Sequence, residues 1–158
     1  MQRELSRRMM LAEVAALAGA VLVTPRDAFA QTKVPIVVYK SPDCLCCHQW
    51  VQYLTANGFA PTVTDTRDMD AIKVRYKVPK SLVSCHTALV ANYVIEGHIP
   101  AADVKSLLVR KPAGVIGLTI PGMPQSAPGM DAKPFEPYTV LAFDSKGTTT
   151  VYAKHEKA

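Results

Sequence analysis

Val34-Pro35-Ile36-Val37-Val38-Tyr39-Lys40-Ser41-Pro42-Asp43-Cys44-Leu45-Cys46-Cys47 is the stretch on which the fold turns. Residues 34–39 form a short apolar, β-branched run that reads as a buried strand. Ser41, Pro42 and Asp43 break that run and supply helix-start residues. Beyond Cys47, Trp50, Val51 and Leu54 recur at helical spacing, and Asn57-Gly58 provides the stop. Three thiols within four residues therefore sit where a strand hands over to a helix. Unpaired N–H groups and the helix dipole favour negative charge at such an N-terminus, so thiolates are favoured there and their pKa is expected to fall.

Working outward, residues 60–66 alternate weakly and predict a second strand. Residues 68–76 predict a short helix with Asp68 as its cap. Residues 87–91 and 94–96 read as a hairpin around Asn92-Tyr93. Pro100 opens another helix, with Val104, Leu107 and Leu108 as its apolar stripe. Strand, helix, strand, helix, hairpin, helix is the order of a thioredoxin-like α/β domain, a mixed sheet flanked by helices. Residues 112–137 hold six of the twelve prolines and four of the eight glycines, which predicts neither regular helix nor sheet. They carry a small repeat, Pro121-Gly122-Met123 and Pro128-Gly129-Met130, and a loop of this length in a compact domain is functional or disordered. Residues 138–144 and 148–153, joined at residues 145–147, predict an added C-terminal β-hairpin, and residues 154–158 a frayed tail that includes His155.

The first thirty residues read as an export signal instead of part of this domain. Arg3, Arg7 and Arg8 form a positive segment, residues 11–23 are apolar except for Glu13, and Ala28-Phe29-Ala30 is a small-x-small cleavage pattern. Ser6-Arg7-Arg8-Met9-Met10-Leu11 also resembles a twin-arginine signal, with Met10 where phenylalanine is usual. The expectation is a signal peptide over 1–30, a metal-binding domain over 31–158 and a periplasmic location. The apolar run is too short for a stable membrane span. Removing residues 1–30 lowers the net charge from +5 to +4, and the remaining lysines are scattered without interleaved aromatics, so no nucleic-acid surface is expected.

Four cysteines in an oxidising compartment ordinarily mean two disulfides. Adjacent Cys46 and Cys47 cannot pair without severe strain, and a structural framework gains little from three thiols in one turn. Cys44 and Cys47 have the Cys-x-x-Cys spacing of a redox pair, which keeps a thiol–disulfide oxidoreductase open as a reading. In a thioredoxin-like fold the loop into the third strand faces the redox turn and normally carries a cis-proline. Here that segment is Ser84-Cys85-His86-Thr87, which brings a fourth thiol and no proline. Four converging thiolates are a soft-metal composition: Cu(I), Zn(II) or an iron–sulfur cluster, the last disfavoured in an exported protein without a ferredoxin spacing. Copper fits better, because bridging thiolates tolerate the adjacent pair Cys46 and Cys47 and because thioether sulfur from Met123 and Met130 is a copper ligand but a poor zinc ligand. Those methionines could equally pack onto the core. His86 is a candidate ligand or second donor. His48 reads as solvated or as support for a thiolate, and His98 as structural. No serine–histidine–acid set, phosphate-binding glycine loop or carboxylate pair stands out.

Residues 38–47, Ser84-Cys85-His86-Thr87-Ala88, residues 93–101 and the Pro-Gly-Met loop together resemble the CopG-type periplasmic copper-resistance proteins, first catalogued as a domain of unknown function. The resemblance covers nearly all of residues 34–153. It implies a thioredoxin-like fold, a copper–thiolate site with ligands at Cys44, Cys46, Cys47 and Cys85, and a role in copper handling alongside other periplasmic copper proteins. Leu45 stands where the family often has a small residue such as glycine.

Overall fold

The structure is a computed structural model that describes residues 32–157; the expected export signal lies outside the described residues. β1 (Val34–Lys40) leads through the cysteine turn into α1 (Leu45–Ala56), then β2 (Phe59–Asp65), α2 (Met69–Arg75) and a 3-10 turn at Lys80–Leu82. There follow β3 (Thr87–Val90), β4 (Tyr93–Glu96), α3 (Ala101–Arg110), β5 (Val115–Thr119), β6 (Tyr138–Asp144) and β7 (Thr149–His155). One seven-stranded sheet has the order β2-β1-β3-β4-β5-β6-β7. β1 runs parallel to β2 and β4 to β5, each pair joined across a helix; the other pairings are antiparallel. The β2-β1-β3-β4 part with its three helices is the expected thioredoxin-like unit, and the β6–β7 hairpin extends it.

Strand alternation divides the apolar residues between two faces. Ile36, Val38, Ala88, Ile95 and Leu118 share one buried cluster with Trp50 and Leu54 of α1 and Val104 and Leu107 of α3. Val94 and Phe143, one residue out of phase, join Val78 and Leu82 in a second cluster. α1 buries Cys47, Trp50 and Leu54, which lie at i, i+3 and i+7 on one helical stripe. Trp50 donates its indole Nε1–H to the Ile99 carbonyl at 3.0 Å, tying α1 to the segment that enters α3. Asp68 caps α2 as expected, its side chain accepting the Ala71 N–H at 2.9 Å.

Two expectations are corrected. Residues 112–137 are not wholly irregular, because Val115–Thr119 is a strand between β4 and β6. Its Gly117 is required by contact: a Cβ there would stand 2.3 Å from the Val94 carbonyl oxygen and 2.7 Å from the Phe143 ring. The C-terminal hairpin runs to His155, so that residue is not in a tail; it pairs with Asp103 of α3 at 2.8 Å and stacks on Tyr138. As expected, the cysteines stand at the N-terminus of α1: the helix begins at Leu45 with Cys44 as its N-cap residue, so Cys46 and Cys47 lie within the first helical turn.

Candidate metal centre

Cys44 and Cys47 stand three residues apart across the start of α1, the spacing that puts two side chains on one face, and they form a disulfide. Cys46 and Cys85 are free. The Cys46 sulfur lies 3.5 Å from that of Cys44. Cys85 comes from the segment before β3, and all four sulfurs lie within 4.8 Å of one another. The fourth thiol thus faces the cysteine turn, where a thioredoxin-like enzyme would hold its substrate.

A second group overlaps the first. Donor atoms of Cys47, Cys85, His86 and His98 also lie within 4.8 Å of one another. His98, read from sequence as structural, is therefore brought into this second group. The hairpin explains it: Thr87 pairs with Glu96 across β3 and β4, so the residues just before Thr87 and just after Glu96 emerge at one end of the sheet. The turn expected at Asn92-Tyr93 would pair residue 91 with 94 and set His98 opposite Thr87, whereas the observed pairing of Val90 with Tyr93 carries His98 to the level of Cys85.

The hydrogen-bond pattern sets the imidazole roles. The Pro128 carbonyl can only accept, so His98 donates to it from Nδ1 at 2.7 Å, leaving a bare Nε2 lone pair 3.2 Å from the Cys85 sulfur. The single thiol hydrogen of Cys85 serves that lone pair. His86, whose Nδ1 is 3.3 Å from the same sulfur, must then be the donor. Its Nε2 is left as a fully buried lone pair with no partner, the one such side-chain nitrogen or oxygen among the described residues. Trp50 packs against the His86 ring at 4.3 Å between centroids with the planes tilted by 41°, and His98 meets it edge-on at 4.9 Å.

Burial dominates the electrostatics. It lowers the pKa of His86 well below the ordinary histidine range, with the neighbouring charges of His98 and Lys73 adding to the effect. Burial lowers that of His98 too, against the opposing Pro128 hydrogen bond. Both rings are neutral and offer lone pairs. Burial, followed by the nearby Cys46, pushes the Cys85 thiol up to about 12. A soft cation would reverse that preference by displacing the thiol proton.

His48 is exposed and accepts from the Lys40 Nζ at 3.1 Å. Lys40 is fully buried and also pairs with Asp65 at 2.7 Å. Through its bond to the Ser41 carbonyl, which the Cys44 N–H also uses, Lys40 braces the turn before α1. Sequence reading missed this cation. The two Pro-Gly-Met repeats do different things. Met123 is 51 % exposed, and its loop is tied to the Cys85 segment by a 2.6 Å bond from the Ser84 hydroxyl to the Gly122 carbonyl. The repeat containing Met130 holds His98 through the Pro128 carbonyl and presses Gly129 against the backbone of Trp50.

The donor set fits a soft metal. Four sulfurs and two neutral imidazoles converge, and the buried His86 lone pair has no protein partner to satisfy it. Two of the sulfurs are joined in a disulfide, so the four-thiolate set exists only after reduction. Fold and site together define a thioredoxin-like protein whose redox turn is completed by a fourth thiol and two imidazoles.

Comparison with known proteins narrows that class. The chain belongs to the family of the copper resistance protein copG. Solved structures named "Copper resistance protein copG- Form 1" and "Form 2" each share 38% identity with it, cover 78% of this chain and 98% of their own, and superimpose with a TM-score of 0.73. A family described as "Protein of unknown function, DUF411" matches residues 82–130, which include Cys85, His86, His98 and both Pro-Gly-Met repeats. No curated protein matches the chain.

Proposed function

We propose that this protein binds Cu(I) in the periplasm as part of copper resistance, holding it through Cys44, Cys46, Cys47 and Cys85 in a thiolate-bridged, polynuclear site. The carrying observation is the convergence of all four sulfurs within 4.8 Å, with the imidazoles of His98 and His86 against the Cys85 sulfur at 3.2 and 3.3 Å. A dithiol enzyme needs neither the fourth thiol nor the two imidazoles. The names of the two structural relatives support copper as the cargo. Thiolate bridging suits adjacent Cys46 and Cys47, which a single tetrahedral zinc would have to accept side by side. His86 supplies a further nitrogen donor, and His98 is oriented for the same purpose by its bond to Pro128. Met123 and Met130 lie in the two loops that brace the Cys85 segment and His98, and would add thioether donors. Among the described residues no helix is long and apolar enough to cross a membrane.

The site takes up copper only with Cys44 and Cys47 reduced. Anaerobic Cu(I) titration of the protein before and after reduction tests this, with the copper-to-protein ratio read at each end point. The expected result is tight uptake of more than one ion after reduction and a marked deficit before it. Weak binding by the reduced protein, or retention of a single zinc in preference to copper, refutes the proposal.

The Cys44–Cys47 disulfide favours one alternative, thiol–disulfide exchange. An incoming dithiol would reduce that bond, its two sulfurs becoming a disulfide as Cys44 and Cys47 take up the two electrons and two protons. Reduced Cys44 and Cys47 could equally give two electrons to two Cu(II) ions, releasing two protons and reforming the disulfide.

A further inference from the structure

The segment that carries the fourth sulfur has no proline to shape it, yet it is held on both sides by one buried carboxylate. Glu96, on β4, is fully buried and pairs in register with Thr87. Its Oε1 accepts the Ser84 backbone N–H at 2.7 Å, on the residue before Cys85. Its Oε2 accepts the Thr87 hydroxyl at 2.7 Å, on the residue after His86. Cys85 and His86 are therefore bracketed by two hydrogen bonds to the same group.

Lys73 of α2 completes the clamp. Its Nζ donates to Glu96 Oε1 at 2.5 Å and to the Thr87 hydroxyl at 3.2 Å. Strand alternation puts Thr87 and Glu96 on the sheet face opposite His86 and Trp50, so the clamp grips the segment from behind without entering the thiol cluster. A buried ion pair is a poor source of stability, since well-packed apolar residues often replace one at no loss. What an apolar pair cannot supply is an acceptor for the Ser84 N–H.

We propose that Glu96, supported by Lys73, is a positioning residue for Cys85. It fixes the fourth sulfur against the cysteine turn by holding the backbone on either side of it. The role is geometric and does not depend on which ligand the thiols take. Its consequence for copper affinity rests on the function proposed above.

Two charge-neutral double variants of the full chain separate positioning from stability. In Lys73→Met/Glu96→Gln the amide oxygen still accepts from Ser84 and the amide N–H₂ reaches the Thr87 hydroxyl. In Lys73→Met/Glu96→Leu both anchors are lost and no charge is left buried. The readouts are the urea midpoint, the rate of Cys85 alkylation by iodoacetamide, resolved from Cys46 by peptide mass spectrometry, and Cu(I) affinity after reduction. The leucine variant is expected to alkylate at Cys85 at least about tenfold faster than the parent and to bind Cu(I) about tenfold more weakly, the scale of one lost charge-assisted hydrogen bond. The glutamine variant is expected to stay within about twofold of the parent on both, since it keeps the acceptor. Parent-like alkylation in the leucine variant overturns the proposal, as does alkylation that merely follows the urea midpoint across both variants. Should the leucine variant fail to fold, Thr87→Val removes one anchor alone; an unchanged Cys85 rate there overturns the proposal equally. If the parent takes up no Cu(I) but the alkylation contrast appears, the copper function fails and the positioning role stands.

Discussion

Replacing Gly129 by alanine strains the backbone that holds His98, and the paired Pro-Gly-Met repeat supplies the control. Gly129 has φ +83°, and a Cβ there would stand 2.7 Å from the Trp50 amide nitrogen and 3.0 Å from its Cα. Gly122 has φ +73° and nothing within 4 Å of the added atom. Both substitutions carry the left-handed backbone cost of about 1–2 kcal/mol. Only Gly129→Ala adds overpacking against backbone that cannot swing aside, about 1–3 kcal/mol more. Its expected loss is about 2–5 kcal/mol, and the excess over Gly122→Ala isolates the contact. Urea unfolding of the disulfide-intact protein measures both, with a midpoint shift on the order of 1–2 M for the first. Pushing Gly129 off α1 also moves the Pro128 carbonyl, 2.7 Å from His98 Nδ1. The titration shift of His98, followed by NMR, should change in Gly129→Ala and not in Gly122→Ala. Equal stability losses in the two variants would refute the claim that this repeat is packed as a brace.

Cys46→Ser leaves the Cys44–Cys47 disulfide intact, so a dithiol enzyme would keep its reductase activity. Cu(I) affinity is expected to fall by at least about tenfold, the lower bound for losing even an indirect support of a metal site. Full copper retention in this variant excludes the four-thiolate site. The alkylation rate of Cys85 in the disulfide-intact protein should climb about tenfold per pH unit beyond the point, near 8.5, where an ordinary thiol levels off, because the reactive thiolate is disfavoured by burial until about 12. A plateau near pH 9 falsifies that assignment. The sign extends to stability: the fold binds this proton more tightly than the unfolded chain does. The contribution is therefore intact below about pH 8.5 and declines as pH rises toward 12.

The legible parts of the chain share one property: their pattern is local. The β-branched run before Ser41-Pro42, the Trp50-Leu54 stripe and the Asp68 cap each declare an element within a few residues, and the elements form as expected. β5 was hidden because Gly117 interrupts its apolar run among prolines and glycines. That glycine exists for a contact with Val94 and Phe143, distant in sequence. His155 looked like a tail for the same reason, its partners Asp103 and Tyr138 being supplied by other elements.

The site divides along the same line. The amino-acid sequence alone determined that three thiols begin a helix, that a fourth precedes the third strand, and that no proline accompanies it, because spacing and residue type suffice for each. Tertiary structure decided that the four sulfurs meet within 4.8 Å, that Cys44 is bonded to Cys47, and that His98 joins them. It also decided that Glu96 and Lys73 stand behind Cys85. These outcomes depend on strand register and on burial. Register carries residues 85–86 and 97–98 to one end of the sheet, and burial leaves the His86 lone pair with nothing in the protein to satisfy it.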